Sequence, residues 1–355
     1  MTQASGHRQS KHTLVAGILA VCVLAGVVVG PKRVYHAFKH RIKPEPAIAM
    51  VSNEQRPEGP ETAAGWVKES TNPVLGGDLG TCFDISVLKE ASKYRMWFSW
   101  RPRKSIALTE STDGIHWGVP EIVLAPQPGV NWEEDLNRPV VIRKDGKYQM
   151  WYTGQFGGHS AIGMAASTDG VHWDRKQRDP VLEPKVAWEK GAVMCPHVIW
   201  DAPSKSYKMW YSGGDQYEPD AIGYATSADG THWDRDASNP IFTPDKSSAW
   251  ENHRVTAAYL WQEKGWYEMA YIGFHDDHFA QIGLARSKDG IHGWERLPQN
   301  PIIRPCNDRK GWDYDAVYKP SLTFDGKKWL LFYNGRNGGK EQIGVAYHTG
   351  RDLWK

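Results

Sequence analysis

The stretch Tyr94-Arg-Met-Trp-Phe98, followed by Ile106-Ala107 and Ser111-Thr-Asp-Gly-Ile-His-Trp117, decides the fold because it recurs. Its first element returns as Tyr148-Gln-Met-Trp-Tyr152, Tyr207-Lys-Met-Trp-Tyr211, Tyr267-Glu-Met-Ala-Tyr271 and Trp329-Leu-Leu-Phe-Tyr333. Its second returns as Ile162-Gly163, Ile222-Gly223, Ile282-Gly283 and Ile343-Gly344. Its turn returns at Ser167–Trp173, Ser227–Trp233 and Ser287–Trp294, and decays to Thr349-Gly-Arg-Asp-Leu-Trp354. Met96, Met150, Met209 and Met269 are 54, 59 and 60 residues apart. Asp-Gly between apolar runs is a strong hairpin signal. Each unit therefore reads as four short strands, and the four His residues of the turns (116, 172, 232 and 292) read as structural. Four-stranded units at a fixed period predict the blades of a β-propeller.

Circular closure is indicated by a fourth element. Asp179-Pro-Val-Leu182, Asn239-Pro-Ile-Phe242 and Asn300-Pro-Ile-Ile303 come after the turns of blades 2, 3 and 4. Trp354 has no such element after it, but a copy stands at the other end as Asn72-Pro-Val-Leu75. The N-terminal strand is expected to complete the last blade. The fold class is thus all-β, a five-bladed β-propeller over 66–355.

Outward from this ring, residues 1–12 form a short basic tail, and 13–30 (TLVAGILAVCVLAGVVVG) carry no charge. Eighteen residues of helix rise about 27 Å, enough for a bilayer core. This predicts a transmembrane anchor, without the small-x-small site of a cleaved signal. Residues 31–65 read as a basic juxtamembrane segment and a Pro/Glu/Ala-rich linker. Basic residues after the span argue for a cytoplasmic ring. Against that, an N-terminal anchor with so short a tail exports the chain beyond it, which tips the expectation towards an extracytoplasmic ring. The net charge of +2 is an average: residues 1–50 carry seven basic residues against Glu45, and the rest carries 36 basic and 40 acidic. An acidic body argues against nucleic acid. Cys82, Cys195 and Cys306 form no disulfide pattern.

Positions that are alike in every blade are scaffold, and positions that differ are candidates for function. The loops between second and third strands are polar and each distinct: 100–104, 155–160, 214–220, 274–279 and 335–340. The inner-strand entries differ too, with Asp84 matching Arg138, Cys195, Ala257 and Lys319. Loops that vary on a repeated frame predict a binding mouth.

The pattern NPVL…DISVL…YRMWFSW…IALTESTDGIHW resembles the five-bladed glycoside hydrolase superfamily of families 43, 32, 68 and 130. The resemblance implies a carbohydrate substrate. Family 43 carries an Asp on the first inner strand, matched by Asp84, a second Asp on blade 2, where Arg138 stands, and a Glu on blade 3, where Met194 stands. The catalytic set therefore transfers only at Asp84. Its partner would come from Glu134, Asp135, Asp215, Asp220, Asp276 or Asp315, because a glycosidase needs two carboxylates in different environments. Trp100, Arg138, His197, Asp215, His253, Arg254, Asp276, Lys319 and Arg336 are the expected substrate-binding residues, with Tyr217 and Phe279 as further stacking surfaces.

Three functions stay open. They are a membrane-anchored glycosidase or transglycosidase, a phosphorylase or glycosyltransferase using the funnel cations, and a glycan-binding propeller without turnover. His275-Asp276-Asp277-His278 lacks the spacing of a metal site, so no metal is expected there. No cofactor is expected; a structural Ca²⁺ in the channel would need oxygen ligands that sequence does not display.

Overall fold

The structure is a computed structural model that describes residues 59–216 and 219–354. The expected tail, the anchor over 13–30, the linker up to residue 58 and Tyr217 lie outside these residues. Among the described residues no helix is long and apolar enough to cross a membrane.

Five antiparallel four-stranded blades make up the described residues from 66 onward. Blade 1 is Cys82–Lys89, Tyr94–Trp100, Ser105–Ser111 and Glu121–Leu124. The inner strands of blades 2 to 5 are Asp135–Lys144, Ala192–Asp201, Arg254–Glu263 and Ala316–Phe324. Each packs on the next, and the last packs on the first, so they form a closed ring. Trp66–Lys68 from the N-terminal side pairs with Lys340–Thr349 and completes blade 5. The Asn-Pro elements dock alike. Asn239 exchanges two hydrogen bonds of 2.7 and 2.8 Å with the Tyr224 backbone, and Asn300 does so with Leu284 at 2.8 and 2.8 Å. Asn72 repeats this on Val345 at 2.9 and 2.9 Å, 273 residues away. Closure thus uses the contact found inside blades 3 and 4.

The Ser-x-Asp-Gly-x-His-Trp turns are structural. Asp113 Oδ1 accepts the backbone N–H groups of Ile115 and His116, both at 2.8 Å, and His116 Nδ1 lies 2.7 Å from Asp113 Oδ2. The same set recurs at Asp169, Asp229 and Asp289. Each turn also joins two blades. The buried indoles Trp97, Trp151 and Trp210 donate to the carbonyls of Gly170, Gly230 and Gly290, at 3.0, 2.9 and 2.8 Å. Gly230 has φ +84, and a Cβ there would sit 2.9 Å from the Trp151 ring, so only glycine fits. Blade 4 has Ala270 in place of the Trp, and the next blade, blade 5, has no Asp-Gly turn. Both halves of that staple are missing together, and Ala270 shares a core cluster with Leu353 instead.

A second repeat holds blades 2 to 5 from the mouth side. It is Trp132-Glu133, Trp188-Glu189, Trp250-Glu251 and Trp312-Asp313, which comparison of the blade sequences does not bring out. Each Trp lies over two glycines of its blade: Gly154 and Gly163, Gly213 and Gly223, Gly273 and Gly283, Gly335 and Gly344. Each acid is at most 1% exposed and binds a cation and a tyrosine. Glu133 takes Arg175 at 2.8 Å and Tyr152 at 2.8 Å, and Glu189 takes Arg235 at 2.7 Å and Tyr211 at 2.8 Å. Glu251 takes Arg296 at 2.8 Å, and Asp313 takes Lys68 at 2.7 Å and Tyr333 at 3.3 Å. Most of the 18 Trp are therefore frame.

A buried acid of another kind lies outside this scheme. Glu268, in blade 4, is 7% exposed, and burial together with the charge of Glu263 pushes its carboxyl up to about 7. Between its ordinary value of 4.5 and about 7 the folded chain keeps a proton that the unfolded chain releases. Its contribution therefore falls as pH rises through that window. Glu268→Gln is expected to raise stability at pH 8 by about 1–3 kcal/mol and to do little at pH 4. Urea midpoints at the two pH values check this; the same gain at both would contradict it.

Candidate active site

The funnel is built by one irregularity repeated five times. Every inner strand shifts register near its start: Phe83/Ser86, Asn137/Val140, Met194/His197, Thr256/Tyr259 and Tyr318/Ser321. The residue at each shift has a left-handed backbone: Asp84, Cys195, Ala257 and Lys319 at φ 51 and Arg138 at φ 56. Such a backbone costs a non-glycine residue on the order of 1 kcal/mol or more. Bulges of this kind re-aim a side chain out of the pleat. Hydroxyls of the preceding blade hold three of them. Arg138 N–H donates to Ser99 at 2.9 Å, Cys195 N–H to Thr153 at 3.2 Å and Ala257 N–H to Ser212 at 2.9 Å. At the same position blade 4 has Ile272 and blade 5 has Asn334, whose amide donates to Asp84 Oδ1 at 3.4 Å.

The re-aimed side chains meet. Arg138 Nε lies 3.4 Å from Asp84 Oδ2, and Asp84 is 3% exposed. Burial works against the Arg138 guanidinium, yet Asp84 first, then Cys195 and Glu341, raise its pKa above the usual value. Burial raises the Cys195 thiol, although Lys319 and Arg138 oppose this, so it stays protonated at neutral pH. Lys319 is 5% exposed. Ala192, Met194, Cys195, Ala257, Ala280 and Ala316 belong to one buried apolar cluster on blades 3 to 5.

Glu341 is a further acid that blade comparison does not single out. It is 6% exposed, takes the Tyr318 hydroxyl on Oε1 and lies 3.3 Å from Arg101 on Oε2. Its position, two before the repeated Ile, is filled by Lys104, Ser160, Asp220 and Ala280 elsewhere.

The expected partners of Asp84 are scattered. Glu134 is exposed. Asp135 is half-buried at the mouth end of the blade 2 inner strand, where its charge acts on Arg138. Asp315 accepts Gly338 N–H at 2.8 Å and so holds the blade 5 loop.

Several expected binding residues are occupied otherwise. His197 is buried between blades 3 and 4, packs on Tyr259 at 4.5 Å and meets Leu260 O at 2.9 Å. Burial and then Lys319 push it down to about 3, so it is neutral. Asp215 pairs with Lys190 at 3.0 Å. His253 and Arg254 meet Asp277 at 2.8 and 3.1 Å. Asp276 accepts the N–H groups of His278 and Phe279, both at 2.7 Å, and so shapes its own loop. Arg336 donates to His278 O at 2.8 Å and ties two loops together. Phe279 is 1% exposed and belongs to the core rather than to a stacking surface. Trp100 remains half-buried, its indole N–H fixed on Leu79 O at 2.8 Å. No three His, Cys, Asp or Glu of the described residues are grouped to hold a metal ion.

Five four-stranded blades in a closed ring define a five-bladed β-propeller, a fold that does not by itself fix an activity. Residues 70–353 match glycosyl hydrolases family 43, and the chain belongs to that family. An uncharacterised Mycobacterium tuberculosis protein is 29% identical over 53% of this chain and 60% of its own length. The chain spans three-fifths or less of the lengths of the curated relatives it matches. A thermostable family-43 glycoside hydrolase has the same fold, with TM-score 0.63, 18% identity and coverage of 80% of this chain and 97% of that one. So does a β-1,2-mannobiose phosphorylase from Listeria innocua, with TM-score 0.64, 11% identity and coverage of 80% and 96%.

Proposed function

We propose that the chain cleaves a glycosidic bond of a glycan seated in the funnel, with Asp84 as general base or nucleophile. Water, or a second sugar, would accept the glycosyl group. The observation that carries this reading is Asp84 itself: a buried carboxylate on the first strained bulge, held by Arg138 and Asn334 and directed into the ring. Family membership supports the reaction class. Reducing-sugar release from a glycan panel tests it, with Asp84→Asn as the inactive control.

The leaving group needs an acid, and two carboxyls stand close to the charge of Arg138: Asp135 and Glu341. Asp135→Asn and Glu341→Gln separate them. The variant of the true acid is expected to lose about 10²–10⁴-fold on the glycan, yet to keep activity on an aryl glycoside whose leaving group needs no proton. Equal losses on both substrates in both variants would remove either residue from that role.

A further inference from the structure

Among the five bulge residues the charges do not balance. Asp84 offsets Arg138, while Ala257 and Cys195, a protonated thiol, carry none. Lys319 is left over. Its ammonium has no hydrogen bond and no carboxylate within ion-pair distance among the described residues, although the residue is 5% exposed. The acids around it are committed elsewhere: Glu341 to Arg101 and Tyr318, and Asp315 to Gly338 N–H. The stem of Lys319 is buried, and its ammonium, without a counter-charge, is free to meet an anion. A second donor faces the same region. Arg138 Nη1 is buried and has no partner, its Nε being on Asp84. The two cations occupy the same left-handed bulge position of blades 2 and 5, whose inner strands both pack on that of blade 1, where Asp84 lies 3.4 Å from Arg138.

We propose that Lys319 and Arg138 Nη1 form a subsite for an oxyanion carried by the sugar, so that the substrate is an acidic glycan bearing a carboxylate, sulfate or phosphate group. Charge-assisted hydrogen bonds from a buried lysine and a guanidinium suit such a group. This rests on the glycan-cleaving reading in one respect. With Asp84 acting on water or sugar, the anion belongs to the substrate. A free phosphate nucleophile would need no base and would crowd a dianion against Asp84. Placing the anion beside the Arg138–Asp84 pair would also fix the sugar relative to the reacting carboxylate.

The test is binding, which does not depend on turnover. Wild type and Lys319→Met are compared on a glycan array with uronate-bearing, sulfated, phosphorylated and neutral members. Affinities for the hits are measured by calorimetry, against inorganic phosphate as a separate probe. Wild type is expected to bind acidic members, and Lys319→Met to weaken them about 10- to 100-fold. Neutral members are expected to change less than about threefold. Lys319→Met removes a charge that has no ion pair and keeps the length of the side chain, so the melting temperature is expected to hold, which shows that the variant folds. Three outcomes overturn the proposal: hits confined to neutral glycans, acidic hits that Lys319→Met leaves unchanged, or inorganic phosphate binding with phosphate-dependent release of a sugar 1-phosphate. Acidic binding without cleavage would leave the subsite standing and remove the hydrolase reading. Cleavage of neutral glycans alone would do the reverse.

Discussion

Glu189→Gln is expected to cost about 3–5 kcal/mol of stability, far more than a surface substitution. Glu189 is fully buried. It holds Arg235 through two hydrogen bonds of 2.7 and 3.1 Å, the Tyr211 hydroxyl at 2.8 Å, and the Lys185 N–H at 2.7 Å. Burial alone would raise its carboxyl. The hydrogen bonds from Arg235, Lys185 and Tyr211 outweigh burial and hold it below the usual range. Its contribution is therefore present above its ordinary value of 4.5 and is lost as pH falls below that. A glutamine keeps the shape but leaves the half-buried Arg235 without a counter-charge. Glu251→Gln, at the same place in blade 4, is expected to cost less. There burial wins over Arg296, the carboxyl is raised, and one of its oxygens has no hydrogen-bond partner. Denaturant midpoints of both variants at pH 7 check the pair. A cost under about 1 kcal/mol for Glu189→Gln, or a larger one for Glu251→Gln, would contradict this account.

The difference between these two glutamates shows where blade comparison stops being informative. The strand and turn repeats are legible because their signals are local: a recurring Tyr-x-Met-Trp strand, and an Asp-Gly turn in blades 1 to 4. Asn72-Pro73 even marks the closure, because it copies Asn239-Pro240 and Asn300-Pro301. The Trp-Glu repeat is equally present but lies in entry loops of unequal length, where alignment from the Met-Trp strand slips. Glu134 and Asp135 then look like chemistry beside an unnoticed frame residue, Glu133. The mouth is less legible for a different reason. Asp215, His253, Arg254 and Asp276 are expected to face substrate, and all four are satisfied by their own loops or by neighbouring blades. Such pairing joins residues far apart in sequence, and composition cannot distinguish it from an open site. The ring of Asp84, Arg138, Cys195, Ala257 and Lys319 can be aligned by counting. What counting cannot supply is the left-handed backbone at all five, which brings them together.

Asp84→Asn is expected to lower kcat by at least about 10³-fold, since neither a base nor a nucleophile survives conversion to an amide. The substitution also has a structural consequence that must be separated from the chemical one. Arg138 is raised above its usual pKa chiefly by Asp84, and its Nη1 has no partner already. Removing Asp84 leaves that guanidinium without its counter-ion, at a cost of about 1–3 kcal/mol. Loss of activity in the single variant could then reflect a disturbed funnel. The double variant Asp84→Asn/Arg138→Gln removes both charges together, and its stability is expected to return close to that of wild type, because deleting a buried pair costs less than breaking it. Turnover is expected to stay absent. Melting temperature and product release on the same preparations decide the matter. A double variant that refolds to full stability and regains more than about a tenth of the turnover would show that Asp84 served only to balance Arg138. A stable, inactive double variant that still binds glycan would assign the chemical step to this carboxylate and leave the frame out of it.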